Sequence, residues 1–457
     1  MIAPPATYAE ENRDLYLSQL IDFLRIPSVS TQPDHNGDMH AAAAWVADSL
    51  VAAGLDNVQV IGTPGHPLVY ADWLHAGLDV PTVLIYGHYD VQPAEPFELW
   101  DSPPFEPEVR DGYLYGRGAS DNKGQIFAHI KAVEAYLQTN GRLPVNVKFI
   151  IEGEEEMGGG SLADFIPRHK DLLSANVALV SDTAMLSASQ PVIVYGLRGL
   201  CYLTLDVTGP GRDLHSGSYG GAIDNPLNVL SHIISQLKDQ NGRILIPGFY
   251  DNVRDLSAKE RDLLSQLPLD KEAWLKETGA PAIWGDPAYT LVERLGARPT
   301  LDVHGIIGGY TGPGAKTVLP ATVHAKLSMR LVPDQDPQEI ARLFKAYVEK
   351  ITPRTVRVDI VAEHGGRPNI VDLDMPAIKA AVSAYEATFD QTPVFVREGG
   401  SIPVVNQFKQ HLGLETVLMG FGLPDDKIHA PNERFYLDNF YRGIQASIHF
   451  LTHYSQL

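Results

Sequence analysis

Three short apolar runs constrain the fold of this chain more than any other feature. They are Thr82-Val-Leu-Ile-Tyr86, Val145-Asn-Val-Lys-Phe-Ile-Ile151 and Val177-Ala-Leu-Val180. A continuous apolar run of this length reads as a strand covered on both faces, which is the situation of a parallel sheet. Amphipathic helical patterns alternate with these runs, at Tyr8 to Arg25, Asp38 to Ala53, Gln125 to Leu137 and Leu162 to Leu173. Shorter strands are expected at Val58–Ile61 and Leu68–Trp73. The alternation predicts an α/β unit with a mostly parallel sheet between helices. Each run also ends on a polar cluster: Gly87-His88-Tyr89-Asp90, Glu152-Gly-Glu-Glu-Glu156 and Ser181-Asp182. Ligands of such sheets gather at the carboxyl ends of strands, so the clusters point to one site.

The character changes after Tyr195-Gly-Leu-Arg-Gly199. Leu200 to Thr208 alternates like a half-exposed strand; Pro226 to Lys238 reads as a helix, Val323 to Val332 as a strand, Pro337 to Ile351 as a helix and Thr355 to Val361 as a strand. That is the pattern of a small α+β domain, although residues 243–300 show no clear period. The α/β style then returns, with a helix over Met375 to Phe389, strands at Val394–Arg397 and Glu415–Leu418, and a helix from Glu433 to about Tyr454. The expected organisation is one discontinuous catalytic domain, residues 1–197 and 367–457, with a domain of residues 198–366 inserted. A length of 457 residues agrees with two domains.

Composition excludes several classes. The balance of 36 basic against 56 acidic side chains, net −20, opposes binding to nucleic acid or anionic lipid, which need basic patches. The single cysteine, Cys201, excludes an internal disulfide and a cysteine-based metal cluster, and its apolar neighbours make it a buried strand thiol. No apolar run reaches the length of a membrane span, and the first residues lack a basic region followed by an apolar core, so a soluble cytoplasmic protein is expected.

The chemistry centres on Asp121, the one carboxylate of the glycine-rich turn Gly116-Arg-Gly-Ala-Ser-Asp-Asn-Lys-Gly124. Singly, each candidate has a plain structural reading. Asp121 could cap a helix and Asp182 a turn, His429 could be a loop histidine, and Glu154-Glu155-Glu156 a solvated charge run. Jointly, His88, His429, Asp121, Asp182 and one glutamate of the triplet form a nitrogen and oxygen ligand set that suits zinc, manganese or cobalt. His88 and Asp90 project to one side of an extended backbone, where the carboxylate can orient the imidazole. Adjacent glutamates repel unless a cation is present or one is protonated. One of them can bind metal while its neighbour takes a proton from water. A dinucleotide fold suggested by Gly116-x-Gly118 lacks the last glycine of that fingerprint.

These motifs resemble the co-catalytic zinc metallopeptidase family of carnosine dipeptidases, glutamate carboxypeptidases, acetylornithine deacetylase and succinyl-diaminopimelate desuccinylase. The matching stretches are Tyr86–Pro93, Trp100 with Pro104-Phe105, Gly116–Gly124, Glu152–Gly158, Asp213–Gly217, Lys316–Pro320, Met329–Pro333, Arg397–Pro403 and Ile428–Glu433, in the family's order and closest to its dipeptidase branch. The resemblance implies two divalent ions, zinc foremost. His88 and Asp182 would hold one, Glu156 and His429 the other, and Asp121 would bridge them; the family often has a cis peptide after this aspartate, here Asp121-Asn122. Asp90 would orient His88. Glu155 would be the general base for a metal-bridging water and then protonate the leaving amine; Glu155-Glu156 before Met157-Gly158 fits the pattern better than Glu154-Glu155. The inserted domain would serve as lid and dimerisation unit, with His215 reaching across a homodimer to the oxyanion and Thr317, Arg330 and Ser401 contacting the substrate. The implied activity is hydrolysis of dipeptides or similar short peptides with a free carboxylate. N-acyl-amino-acid deacylation is the alternative, and a catalytically silent peptide-binding homologue is disfavoured by the complete ligand set.

Overall fold

The apolar runs form the middle of a sheet. In the computed structural model, which describes residues 4–400 and 402–457, the strand order includes Asp56–Ile61, Leu68–Trp73, Asn146–Glu152, Thr82–His88, Val177–Val180 and Thr416–Leu418. The last four run parallel, and the first two join them antiparallel at one margin. Thr82–His88 is buried at every position after the first, as a strand covered on both faces must be. Val83, Ile85, Phe149, Leu179 and Val417 share a core with the helices Asn36–Ala53, Lys123–Asn140, Pro376–Phe389 and Leu437–Tyr454. On the other face the Tyr86 ring meets Phe408 edge-on at 5.9 Å. There, too, the Lys148 ammonium donates to the Leu172 and Ser174 carbonyls, both at 2.7 Å. A lysine inside an apolar strand is tolerated because these helix-end carbonyls satisfy its charge.

Two expected helices are interrupted. The stretch from Tyr8 to Arg25 lies in two helices, Pro5–Glu11 and Arg13–Leu24. Asn12 between them donates its side-chain amide to the Tyr8 carbonyl at 2.8 Å, a local bond that competes with the backbone ladder. Residues 162–173 fall into Gly160–Phe165, a 3₁₀ turn Ile166–Arg168, and Lys170–Leu173; Pro167 supplies no N–H and cannot continue a helix. The last helix starts at Leu437, not at Glu433, because Arg434–Tyr436 pairs as a strand with Tyr113–Tyr115.

The chain divides into two units. The first holds residues up to 195, 371–396 and 403–457, and the second residues 196–370 and 397–402. Among the described residues the second unit's main sheet is antiparallel and four-stranded, in the order Thr300–Gly308, Thr322–Leu331, Gly199–Thr208 and Arg357–Gly366. Gly199–Thr208 alternates buried and half-buried residues. Its inward side, with Cys201 and Leu205, packs on the helices Pro226–Leu237 and Pro337–Ile351 through Ile233 and Phe344. The strand Thr300–Gly308 was not expected. Nor is the stretch before it structureless: it carries the helices Ala258–Ser265, Lys271–Thr278 and Leu291–Gly296. Two of these start at capping boxes, Ser257 with Glu260 and Thr290 with Glu293, a signal legible in the sequence. Among the described residues no helix is long and apolar enough to cross a membrane.

Candidate metal centre

Parallel pairing in register brings the strand ends to one edge of the sheet: His88 sits opposite Glu152, and Tyr86 opposite Val180. His88, the turn after Glu152 and the Ser181-Asp182 turn therefore open on the same space. Asp121 enters from the loop before the helix Lys123–Asn140, with a cis peptide to Asn122. It is not the helix cap; Asn122 holds that position without a side-chain capping bond. Close approach of this loop depends on Gly87, because a Cβ there would lie 2.8 Å from Asn122 Oδ1 and 2.7 Å from Ile126. His429 arrives from the loop after Thr416–Leu418, on a backbone with φ +58°.

The side chains converge in two groups that could each hold an ion. One is His88, Asp121 and Asp182, the other Asp121, Glu156 and His429, and within each the ligand atoms lie within 4.8 Å of one another. Asp121 belongs to both. Its Oδ1 is 3.2 Å from His88 Nε2, which is 3.7 Å from Asp182 Oδ1. Its Oδ2 is 2.9 Å from His429 Nε2, which is 3.3 Å from Glu156 Oε2.

Two observations fit this donor set to divalent cations. His88 Nε2 is buried and satisfies no hydrogen bond, although it faces carboxylate oxygens. The local charge is also unbalanced. Burial pushes the Glu155 carboxyl up to about 8; His88 opposes that, while Asp182, Glu156 and Asp121 reinforce it. Four carboxylates gathered around two imidazoles need positive charge to coexist ionised.

Asp90 organises the first group. Its carboxylate accepts from the Glu155 and Glu156 backbone N–H groups at 3.3 and 3.1 Å and lies 3.3 Å from His88 Nδ1. The Asp90 carbonyl also lies 3.1 Å from His88 Nδ1, so backbone and side chain of this one buried residue set both the imidazole and the glutamate turn. Glu154 points elsewhere, accepting from the His66 and Ser161 N–H groups at 2.9 and 2.7 Å. It is a loop cap, which leaves Glu155 and Glu156 for the site. Glu155 lines a small cavity with Tyr86 and Glu152.

Three further residues support this centre; they lie inside the motif stretches, but the sequence reading gave them no role. Gln92 donates to Glu156 Oε2 at 2.7 Å. Asn122 donates to Asp182 Oδ1 at 2.9 Å and to the Ser181 carbonyl at 2.6 Å. Glu433, fully buried, accepts from Arg117 at 2.7 Å and from the N–H groups of Gly118, Ser120 and Asp121 at 2.9, 3.0 and 3.1 Å. Its carboxylate thereby fixes the loop that presents Asp121. Glutamine in its place would turn an NH₂ toward donors and leave two of them unpaired. Glu433→Gln is expected to weaken zinc binding about 10- to 100-fold, the usual cost of losing a partner that supports a ligand. Calorimetric titration of zinc into metal-stripped protein measures this, with a melting curve to show that the variant folds.

The remaining candidates belong to the second unit, apart from Ser401, which lies outside the described residues. His215 is exposed on a two-residue strand paired with Val318-Leu319, and its Nδ1 accepts from the Gly217 N–H at 3.0 Å. Ser216 N–H donates to the Thr317 carbonyl at 3.1 Å, which places His215 and Thr317 together. Arg330 is half-buried on Thr322–Leu331, between Leu200 and Thr300 of the flanking strands.

The chain is similar to known peptidases over nearly its whole length. Residues 84–453 match the model of peptidase family M20/M25/M40. The chain is 37% identical over 454 residues to the Cys-Gly metallodipeptidase of Schizosaccharomyces pombe, covering 95% of this chain and 94% of that protein. It is 32% identical over 469 residues to the Beta-Ala-His dipeptidase of Homo sapiens, covering 98% and 92%. Among solved structures, an M20 family metallo-carboxypeptidase from Sulfolobus solfataricus superposes with a TM-score of 0.86 at 34% identity, over 97% of this chain and 99% of that one. Human carnosine dipeptidase 1 gives 0.81 at 31%, over 99% and 98%. By the family model and these relatives, the chain is a metallopeptidase belonging to peptidase family M20/M25/M40.

Proposed function

We propose that this metallopeptidase cleaves the amide bond of dipeptides, using two divalent ions bridged by Asp121. The observation that carries the reading is that Asp121 belongs to both ligand groups. His88 and Asp182 complete one group, Glu156 and His429 the other. Nitrogen and oxygen donors without sulfur favour zinc, with manganese or cobalt able to use the same atoms. Ions bound there supply Lewis acidity and ease the deprotonation of water. The protein's own part is proton handling and orientation. Glu155 takes the proton of the attacking water and delivers it to the leaving amine. Asp90 holds the His88 ring and, through two backbone N–H groups, the turn that carries Glu155. Arg330 of the second unit offers a planar guanidinium for the substrate carboxylate, with Thr317 of that unit and, from the sequence motif, Ser401 as further substrate contacts. His215 stabilises the developing oxyanion, serving the site of the other protomer in a homodimer.

The relatives named as Cys-Gly and Beta-Ala-His dipeptidases support a short-peptide substrate. A hydrolysis screen tests it. Cys-Gly and β-Ala-His are expected to be cleaved, the activity to vanish on chelation, and added zinc or manganese to restore it. Faster cleavage of N-acetyl amino acids than of any dipeptide would transfer the protein to the deacylases, and activity indifferent to chelator would overturn the metal reading.

A further inference from the structure

The stretch that shows no sequence period encloses a cavity of about 350 Å³ wholly within the second unit. Its walls combine aromatic rings, Tyr250, Trp284 and Tyr289, with three guanidinium groups, Arg243, Arg294 and Arg298. None of these residues belongs to the metal centre or to the proposed substrate contacts.

The guanidinium groups are held but not neutralised. Arg243 lies over the Tyr250 ring at 4.6 Å and Arg298 over the Tyr289 ring at 4.2 Å. Stacking of this kind fixes the plane of the group and leaves its N–H edges available. Arg294 donates to the Trp284 carbonyl at 3.2 Å, while its Nε is buried without a partner. Among the described residues no carboxylate pairs with any of the three. The acidic groups of the lining are engaged otherwise. Asp286 accepts from the Ala288 N–H at 2.9 Å, and Asp302 lies 3.4 Å from the Lys238 ammonium. In a chain of net charge −20, acidic partners are plentiful, yet these three arginines at one cavity have none.

Trp284 completes the arrangement. It is 59% exposed, its Nε1 donates to the Gln240 carbonyl at 3.2 Å, and Lys238 lies over its ring at 5.3 Å. A large indole is thus anchored by its polar edge and presents apolar surface at the cavity. The exposed indole of Trp284 offers apolar surface to a planar body, while the tyrosine rings hold the guanidinium groups, whose edges pair with a carboxylate or phosphate through two parallel hydrogen bonds. The volume lies at the small end of ligand pockets, which span about 300–1,000 Å³.

We propose that this cavity is a second binding site, distinct from the metal centre, for a small anion built on a planar ring. The shared chemistry is a carboxylate or phosphate attached to an aromatic body. Calorimetric titration of the full-length, zinc-loaded protein separates the two sources. One arm uses adenosine 5′-monophosphate against adenosine; the other uses N-acetyltryptophan against its uncharged amide. At least one charged probe is expected to bind with a dissociation constant below about 1 mM. Its uncharged counterpart should bind at least about tenfold more weakly, because it forgoes the charge-assisted bonds. Arg298→Leu and Trp284→Ala should each weaken that probe by about tenfold or more, with dipeptide hydrolysis unchanged. Trp284 is exposed, so its variant tests the site even if Arg298→Leu fails to fold. The proposal is overturned if neither charged probe binds, if charge makes no difference, or if binding survives Trp284→Ala, which would place the probe elsewhere.

Discussion

Glu155→Gln is expected to lower kcat for dipeptide hydrolysis by about 10³-fold, within the 10²–10⁴-fold range of positioned acid–base groups. Metal content should stay near that of the parent protein. The physical basis is a separation of roles inside one turn. Glu156 belongs to a ligand group and Glu155 to neither, while Asp90 holds both backbone N–H groups and so fixes the turn whichever side chain is changed. Glutamine preserves size and polarity but cannot accept a proton near neutral pH. KM should change little, since the lost function is exercised in the transition state. Glu154→Gln is the control. Its carboxylate accepts two loop N–H groups, one on each oxygen, from His66 and Ser161, so its replacement should cost stability of roughly 1–3 kcal/mol, the penalty of the one donor left unpaired, and spare turnover. Steady-state kinetics beside metal analysis decides it. Loss of turnover in Glu154→Gln with a parental rate in Glu155→Gln would show that the base has been assigned one residue too late.

Asp121→Asn is expected to remove hydrolysis below detection by acting on both ligand groups at once. Asp121 presents one oxygen toward His88 and the other toward His429. An amide offers one oxygen and no charge, so the group common to both candidate sites and the negative charge that would lie between two bound ions are lost together. Zinc binding should fall from two ions to one or fewer, read by calorimetry. Replacing Asp182, in one group only, should leave the other ion bound. The same variant tests the homodimer. Mixed with His215→Ala chains, it should regain activity, because a mixed dimer then holds one site with intact ligands and a His215 from the other chain. Absence of rescue in verified heterodimers would sink the reading of His215 across the dimer.

Parts of this molecule are legible in the amino-acid sequence alone. The strands Leu68–Trp73 and Val177–Val180 and the helix Pro337–Ile351 have the bounds their patterns predict. Such segments advertise themselves because burial imposes a period on the residues that undergo it. The interrupted helices were less legible, since one side chain decides each break: Asn12 by bonding back to Tyr8, and Pro167 by lacking an N–H. Residues 243–300 concealed the most. Two of their short helices start at capping boxes, and one is held by Arg261 stacking on Tyr289, contacts that leave little period; the strand Thr300–Gly308 draws its regularity from pairing with Thr322–Leu331.

By itself the sequence determined which residue types stand at the ends of the buried strands, because the local alternation of apolar runs and polar turns is written along the chain. It placed His88 and Asp182 at strand ends and Asp121 in a glycine-rich turn. Only the tertiary structure decided what those residues face. Parallel pairing in register turned separate turns into one edge. The return of the chain after the second unit carried His429 to within 2.9 Å of an aspartate 308 positions earlier. Glu433 is the sharpest case: its carboxylate fixes the Asp121 loop across more than 300 residues. No local pattern encodes such a contact, because a hydrogen bond depends on distance in space, and the chain path between its partners leaves no mark on either residue.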